Sequence, residues 1–219
     1  MSTQDEIVAV LLERYGNRFA DEAGIRLADK PGPLYQLLVL ATLLSARISA
    51  DLAVAAAREL FAAGYRSPKA MIDAGWQDRV DALGRGHYKR YDERTATMLG
   101  DGAGLLIERW HGDLRRLRDE AGADDAESGA VAALLTEFPG IGPAGADIFL
   151  REVQDVWPSV MPYVDALMIK GARKVGLDGN RDSLAKLLAD HGEPGRLAAA
   201  LVRVSRSDRA ASEVTAACR

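Results

Sequence analysis

The sequence predicts an all-α protein. No alternating apolar-polar run persists long enough for a strand. Apolar residues recur at helical spacing instead, and Gly, Pro and Ser punctuate them where caps and turns belong. The chain has 219 residues, of which 48% are hydrophobic, enough for one or two small cores. No apolar run is long enough to cross a membrane, and the start lacks the basic stretch of a signal peptide. Cys218 is the single cysteine. It excludes a disulfide within the chain, and a reducing, cytoplasmic setting is the simplest expectation.

The first helix is expected near Gln4 to Tyr15, with Ile7, Val8, Leu11 and Leu12 on one face. A polar link follows through Pro31-Gly32-Pro33. Leu34 to Ala46 is apolar almost all round, which marks a buried central helix. Ser49 can cap a helix from Asp51 to Ala63 with Gly64 as its stop. Ser67-Pro68 opens a short helix ending at Gly75, and Trp76 to Leu83 is one more. Tyr88 to Trp110 predicts a long helix weakened by Gly100, Gly102 and Gly104, with Gly112 closing it. Leu114 to Asp119 is a short helix and Gly122 to Gly129 a loop. Helices are then expected over Ala130 to Glu137, Ala146 to Val153, Val164 to Val175, Arg181 to Asp190 and Gly195 to Arg203, before a frayed tail. Trp76, Trp110 and Trp157 are expected in a core or between lobes.

The helices at Ala130 to Glu137 and Ala146 to Val153 are joined by Phe138-Pro139-Gly140-Ile141-Gly142-Pro143-Ala144. This spacing predicts a tight hairpin. Pro139 ends the first helix, Pro143 suits the first turn of the second, and Ile141 is the inward plug. The amides of Gly140 and Gly142 then lie near a helix N-terminus, where free N–H groups and the helix dipole favour an anion, and the bare glycines let a phosphate approach. An ordinary helix connection is the alternative. Downstream, Asp165 follows Pro162-Tyr163-Val164 at the expected start of another helix. It reads either as a helix-capping acid or as a carboxylate for electrostatic and general-base work.

Three segments together resemble the helix-hairpin-helix DNA glycosylase superfamily, whose best-known branch is endonuclease III. The family's hairpin, Leu-Pro-Gly-(Val/Ile)-Gly, is matched from Phe138 to Gly142 with Phe in place of Leu. Its catalytic aspartate follows at the start of a helix in a Val-Asp context, as Val164-Asp165 does. Upstream, Leu43-Leu44-Ser45-Ala46-Arg47 resembles the family's Leu-Leu-Ser-(Ala/Ser)-Gln segment. The resemblance runs from about Tyr35 to Leu177. It implies an endonuclease III-like fold of two helical lobes, residues 35–133 forming a six-helix-type lobe and residues 1–34 with 134–219 forming the second. It implies also that the protein binds double-stranded DNA containing a damaged base, as a monomer, with Asp165 as the catalytic residue.

The departures from the family pattern are as informative. Ala144 stands where the endonuclease III and 8-oxoguanine branches carry a lysine that attacks the sugar and cuts the strand. Adenine glycosylases and 3-methyladenine glycosylase II also lack that lysine, so the resemblance implies a monofunctional glycosylase that uses water and leaves an abasic site. Cys218 alone cannot hold the family's iron-sulfur cluster, and His87, His111 and His191 are too scattered for a zinc site. No cofactor is therefore expected, beyond a monovalent cation that the family hairpin often holds. Its backbone carbonyl ligands would be those of Thr136, Phe138 and Ile141.

Arg47 takes the place of the glutamine that fills the gap left by a flipped base. A guanidinium can stack there and hydrogen-bond; a plain surface arginine is the alternative. Gly86-His87-Tyr88-Lys89-Arg90 resembles the family's loop that wedges into the opposite strand, with His87 and Tyr88 to stack on bases and Lys89 or Arg90 to touch phosphate. Lys170, with Arg173 and Lys174, can face phosphates beside Asp165 or form a solvated helix face.

The function expected is a DNA glycosylase of base excision repair without AP lyase activity, alkylated purines being the first substrate class to test. A noncatalytic helix-hairpin-helix protein binding distorted or branched DNA is the alternative, and a helical interaction module a weaker third. The count of 28 Lys+Arg against 32 Asp+Glu, a formal charge of -4, weighs against avid nonspecific DNA binding.

Overall fold

A computed structural model describes residues 3–122 and 128–218; positions 123–127 of the expected loop lie outside them. Every regular element among the described residues is helical, as expected. The α-helices in chain order are α1 (Thr3–Tyr15), α2 (Phe19–Glu22), α3 (Pro31–Leu44), α4 (Ala50–Ala62), α5 (Pro68–Asp73), α6 (Trp76–Arg85) and α7 (Asp92–Trp110), then α8 (Leu114–Glu120), α9 (Ser128–Leu135), α10 (Pro143–Val153), α11 (Ala166–Lys174), α12 (Arg181–His191), α13 (Pro194–Arg206) and α14 (Asp208–Ala217).

Two apolar clusters organise them. The larger runs from Ala20 to Val160 and surrounds α3, whose Leu34, Leu37, Leu40 and Leu43 are all buried. Its neighbours are α4 and α10, while α5 and α6 pack on α7. Trp110 stacks on Phe138 at 5.5 Å between ring centres, and so ties α7 to the end of α9. The smaller cluster joins Ile7, Val8 and Leu11 of α1 to residues from Val164 to Val214. Its hub is α13, against which α1, α11, α12 and α14 pack. At Gly171 the backbones of α11 and α13 approach so closely that a Cβ would lie 2.0 Å from the Leu201 carbonyl oxygen. α10 touches both α3 and α13, one helix reaching both clusters.

Several boundaries differ from the sequence expectation. α3 begins at Pro31, because proline at the first turn gives up no needed hydrogen bond. α7 begins at Asp92 and not at Tyr88. His87 is left-handed (φ 61°), and the Tyr88 amide donates back to Leu83 O (3.0 Å), so these residues finish α6. The polar link contains α2, and the tail expected to fray is α14, capped by Ser207 Oγ on the Ala210 amide (3.1 Å). Trp110 and Trp157 are buried, but Trp76 is 42% exposed.

Candidate active site and nucleic-acid interface

The hairpin turn is built from its sequence as expected. Gly140 takes φ +87°, Ile141 is buried and donates to Phe138 O (3.0 Å), and Gly142 caps α10 with Pro143 in the first turn. That bond occupies one of the two lone pairs on the Phe138 carbonyl, one of the three carbonyls named for a cation. Gly140, Gly142 and Ala144 face solvent around the buried Ile141.

Arg47 and the hairpin meet at one groove. Arg47, just past the end of α3, is exposed and lines a cavity of about 380 Å³ with Tyr88, Arg94, Met98 and Gly140. His87 and Lys89 are exposed beside it in sequence. Tyr88 is not: it is 1% exposed, and its hydroxyl shares a hydrogen bond with Thr95 (3.1 Å). Its ring is part of the wall, so stacking on a base is closed to it in this arrangement. Arg90 lies over the Tyr91 ring at 5.2 Å. None of the ion pairs among the described residues involves Arg47, Lys89, Arg90 or Arg94. Arg94 was not singled out by the sequence. The available signal was its place in the first turn of α7, where a cation opposes the helix dipole. Lys170 is exposed on α11, away from this groove, and its neighbour Lys174 is engaged with Asp208 (2.6 Å).

Asp165 is 5% exposed and is the N-cap of α11, its Oδ1 accepting the amides of Leu167 (2.8 Å) and Met168 (3.0 Å). Both readings of this acid therefore begin from the same fact: one oxygen caps and the other is spare. Oδ2 lies 3.3 Å from Arg151 Nε on α10. Two further bonds tie the same segment to α10, from the Tyr163 amide to Gln154 Oε1 (3.0 Å) and from the Tyr163 hydroxyl to Asp147 Oδ1. Burial, with the Asp147 carboxylate next, pushes the Tyr163 phenol far above its ordinary value, so it stays a donor.

Two hollows adjoin the Asp165–Arg151 pair, one lined by each residue. Asp165 lines one of about 370 Å³ with Tyr163, Ala132 and Arg181. A groove of about 410 Å³ between the two clusters is lined by Phe19, Leu44, Ile48, Ile148, Arg151 and Arg203 among others, and does not include Asp165. Arg151 is the side chain common to the groove and the carboxylate. The sequence did not single it out. Its only signal was spacing, since Ala144, Ile148 and Arg151 share one stripe of α10.

No known family profile matches the chain, and no curated protein matches it. Among solved structures, a trapped endonuclease III–DNA covalent intermediate (an estranged-adenine complex) is similar, with 17% sequence identity over 92% of this chain and 85% of that one, at a TM-score of 0.48. A likeness of that degree assigns neither family nor activity.

Proposed function

We propose that the protein is a monofunctional DNA glycosylase that removes a damaged base from duplex DNA. The observation that carries the reading is the pairing on one helix. α10 presents the exposed Gly140–Gly142 turn at its start and, farther along, holds the segment bearing Asp165. In this reading the turn's amides take a phosphate, Arg47 enters the space of the extruded base, and Lys89, Arg90 and Arg94 steady the backbone. Extrusion costs a few kcal/mol, least at a weakened pair. As the C1′–N bond breaks, its electron pair leaves with the base and positive charge grows on the sugar. Asp165 Oδ2, the oxygen that the cap leaves spare, stabilises that charge, and water adds at C1′ as its proton passes to that carboxylate. The Ala144 methyl offers no amine, so strand cleavage through a Schiff base has no nucleophile at that position. Alkylated purines suit such a site because their glycosidic bonds break with little acid assistance.

One observation favours the noncatalytic alternative, a protein that binds distorted DNA: Asp165 is nearly buried and paired with Arg151. An incision assay separates the two. Oligonucleotides each carrying one lesion (alkylated purines, uracil, oxidised bases, mismatches) are incubated with the protein and split, one half receiving alkali. Breaks that need alkali and vanish with Asp165→Asn are expected. Asparagine caps as well as aspartate but leaves the buried Arg151 without its carboxylate, so the melting temperature should fall and is measured alongside to confirm that the variant is folded under the assay conditions. Retained DNA binding with no breaks on any lesion would leave the alternative.

A further inference from the structure

Arg151 is a buried cation with unfinished contacts. It and Asp165 are 8% and 5% exposed at the side chain. Arg151 Nε donates to the Asp147 carbonyl (3.1 Å) while standing 3.3 Å from Asp165 Oδ2. Arg151 Nη1 and Asp165 Oδ2 are both fully enclosed and have no hydrogen-bond partner. An arginine and a carboxylate serving only as a strut would be expected to pair by two parallel bonds. Here the Nε–H is drawn to its own helix, and one donor and one acceptor of the pair are left without a partner. Buried polar groups in that condition are costly, and they collect where a site does work.

We propose that Arg151 is the positioning residue of the base-release site, aiming the spare oxygen of Asp165 and supplying with Nη1 a donor to the water that oxygen holds. The role rests on the glycosylase reading given above. It takes advantage of geometry already present: the α10 stripe of Ala144, Ile148 and Arg151 offers the cationic head from farther along the helix. Arg151 lines the groove of about 410 Å³, and Asp165 lines the hollow of about 370 Å³.

The test is single-turnover base release on whichever lesion the panel identifies, beside DNA affinity and melting temperature, for wild type, Arg151→Gln and Arg151→Lys. Arg151→Gln should lower the rate about 10²-fold, the scale of a misplaced catalytic group, with DNA affinity unchanged. Arg151→Lys restores a cation without the second donor and should recover roughly tenfold of that loss. Wild-type rates in folded Arg151→Gln, or a loss confined to DNA affinity, would overturn the positioning role and leave the glycosylase reading intact. If Arg151→Gln does not fold, Arg151→Lys decides alone, and a wild-type rate there overturns the role. A wild-type protein silent on every lesion removes the reading and this role together.

Discussion

At Glu152 a carboxylate is buried where α10 meets the chain start. It is 3% exposed, and its two oxygens accept the amides of Phe19 and Ala20 (3.1 Å each) at the head of α2. Burial pushes its carboxyl up from 4.5 to about 7, against the pull of those amides. Between these values the unfolded chain carries the ionised group and the folded protein the neutral one, so folding takes up a proton. The stability from this group is complete below 4.5 and is lost as pH climbs through 7. Chemical denaturation at stepped pH should show wild-type stability falling by up to ~3 kcal/mol over this window. Glu152→Gln should flatten the slope, and equal slopes in the two proteins would sink the assignment. Asp165 offers a contrast in what a residue lets the sequence disclose. Its place before a helix was legible, its spare oxygen was not. Which oxygen caps depends on the path from Gln154 to Val164, and no local spacing encodes that path.

The helices themselves were largely readable because their ends carry chemistry. Ser49 and Ser67 each accept an amide at the head of a helix, and Pro68 and Pro143 open two. α14 was missed because its buried face is Ala210, Ala211 and Val214, too little apolar contrast to stand out. Within the hairpin, Gly140 is the position where backbone and space both demand glycine. At φ +87° an added Cβ would sit 3.0 Å from Met98 and 3.2 Å from Thr42. Gly140→Ala should cost about 1–2 kcal/mol from the left-handed backbone alone and weaken DNA binding in step. Gly104→Ala, in the body of α7 with nothing within 4 Å, should instead stabilise by about 0.5–1 kcal/mol. Thermal melts of the two variants give the comparison; loss of the same size in both would mean that the hairpin turn is not special.

Across the whole molecule the charge is slightly negative, so the DNA binding proposed above requires a local arrangement. Arg47 and Arg94 line the groove with Gly140, and Lys89 and Arg90 follow its wall residue Tyr88 in sequence; none of the four is in an ion pair among the described residues. About four phosphate contacts predict a slope of roughly −3 to −4 in log affinity against log salt. Arg94→Ala should reduce that slope by about 1. Fluorescence anisotropy across a salt series measures both, and a flat wild-type line would exclude a phosphate-led interface. This grouping was only partly visible in the sequence. Arg47 and the segment at Lys89 stood out as motifs, whereas their meeting with Gly140 depends on how α3, α7 and the hairpin pack.

The smaller cluster has a consequence for the order in which the protein is made. Ile7, Val8 and Leu11 pack against residues supplied by α11 to α14, and the Tyr15 hydroxyl reaches Glu213 (2.5 Å). On a ribosome the first helix emerges long before its partners exist. The larger cluster closes within Ala20 to Val160 and can form while synthesis continues, with α1 waiting at its side, its apolar face open to chaperones. α1 is thus translated before the larger cluster and buried after it.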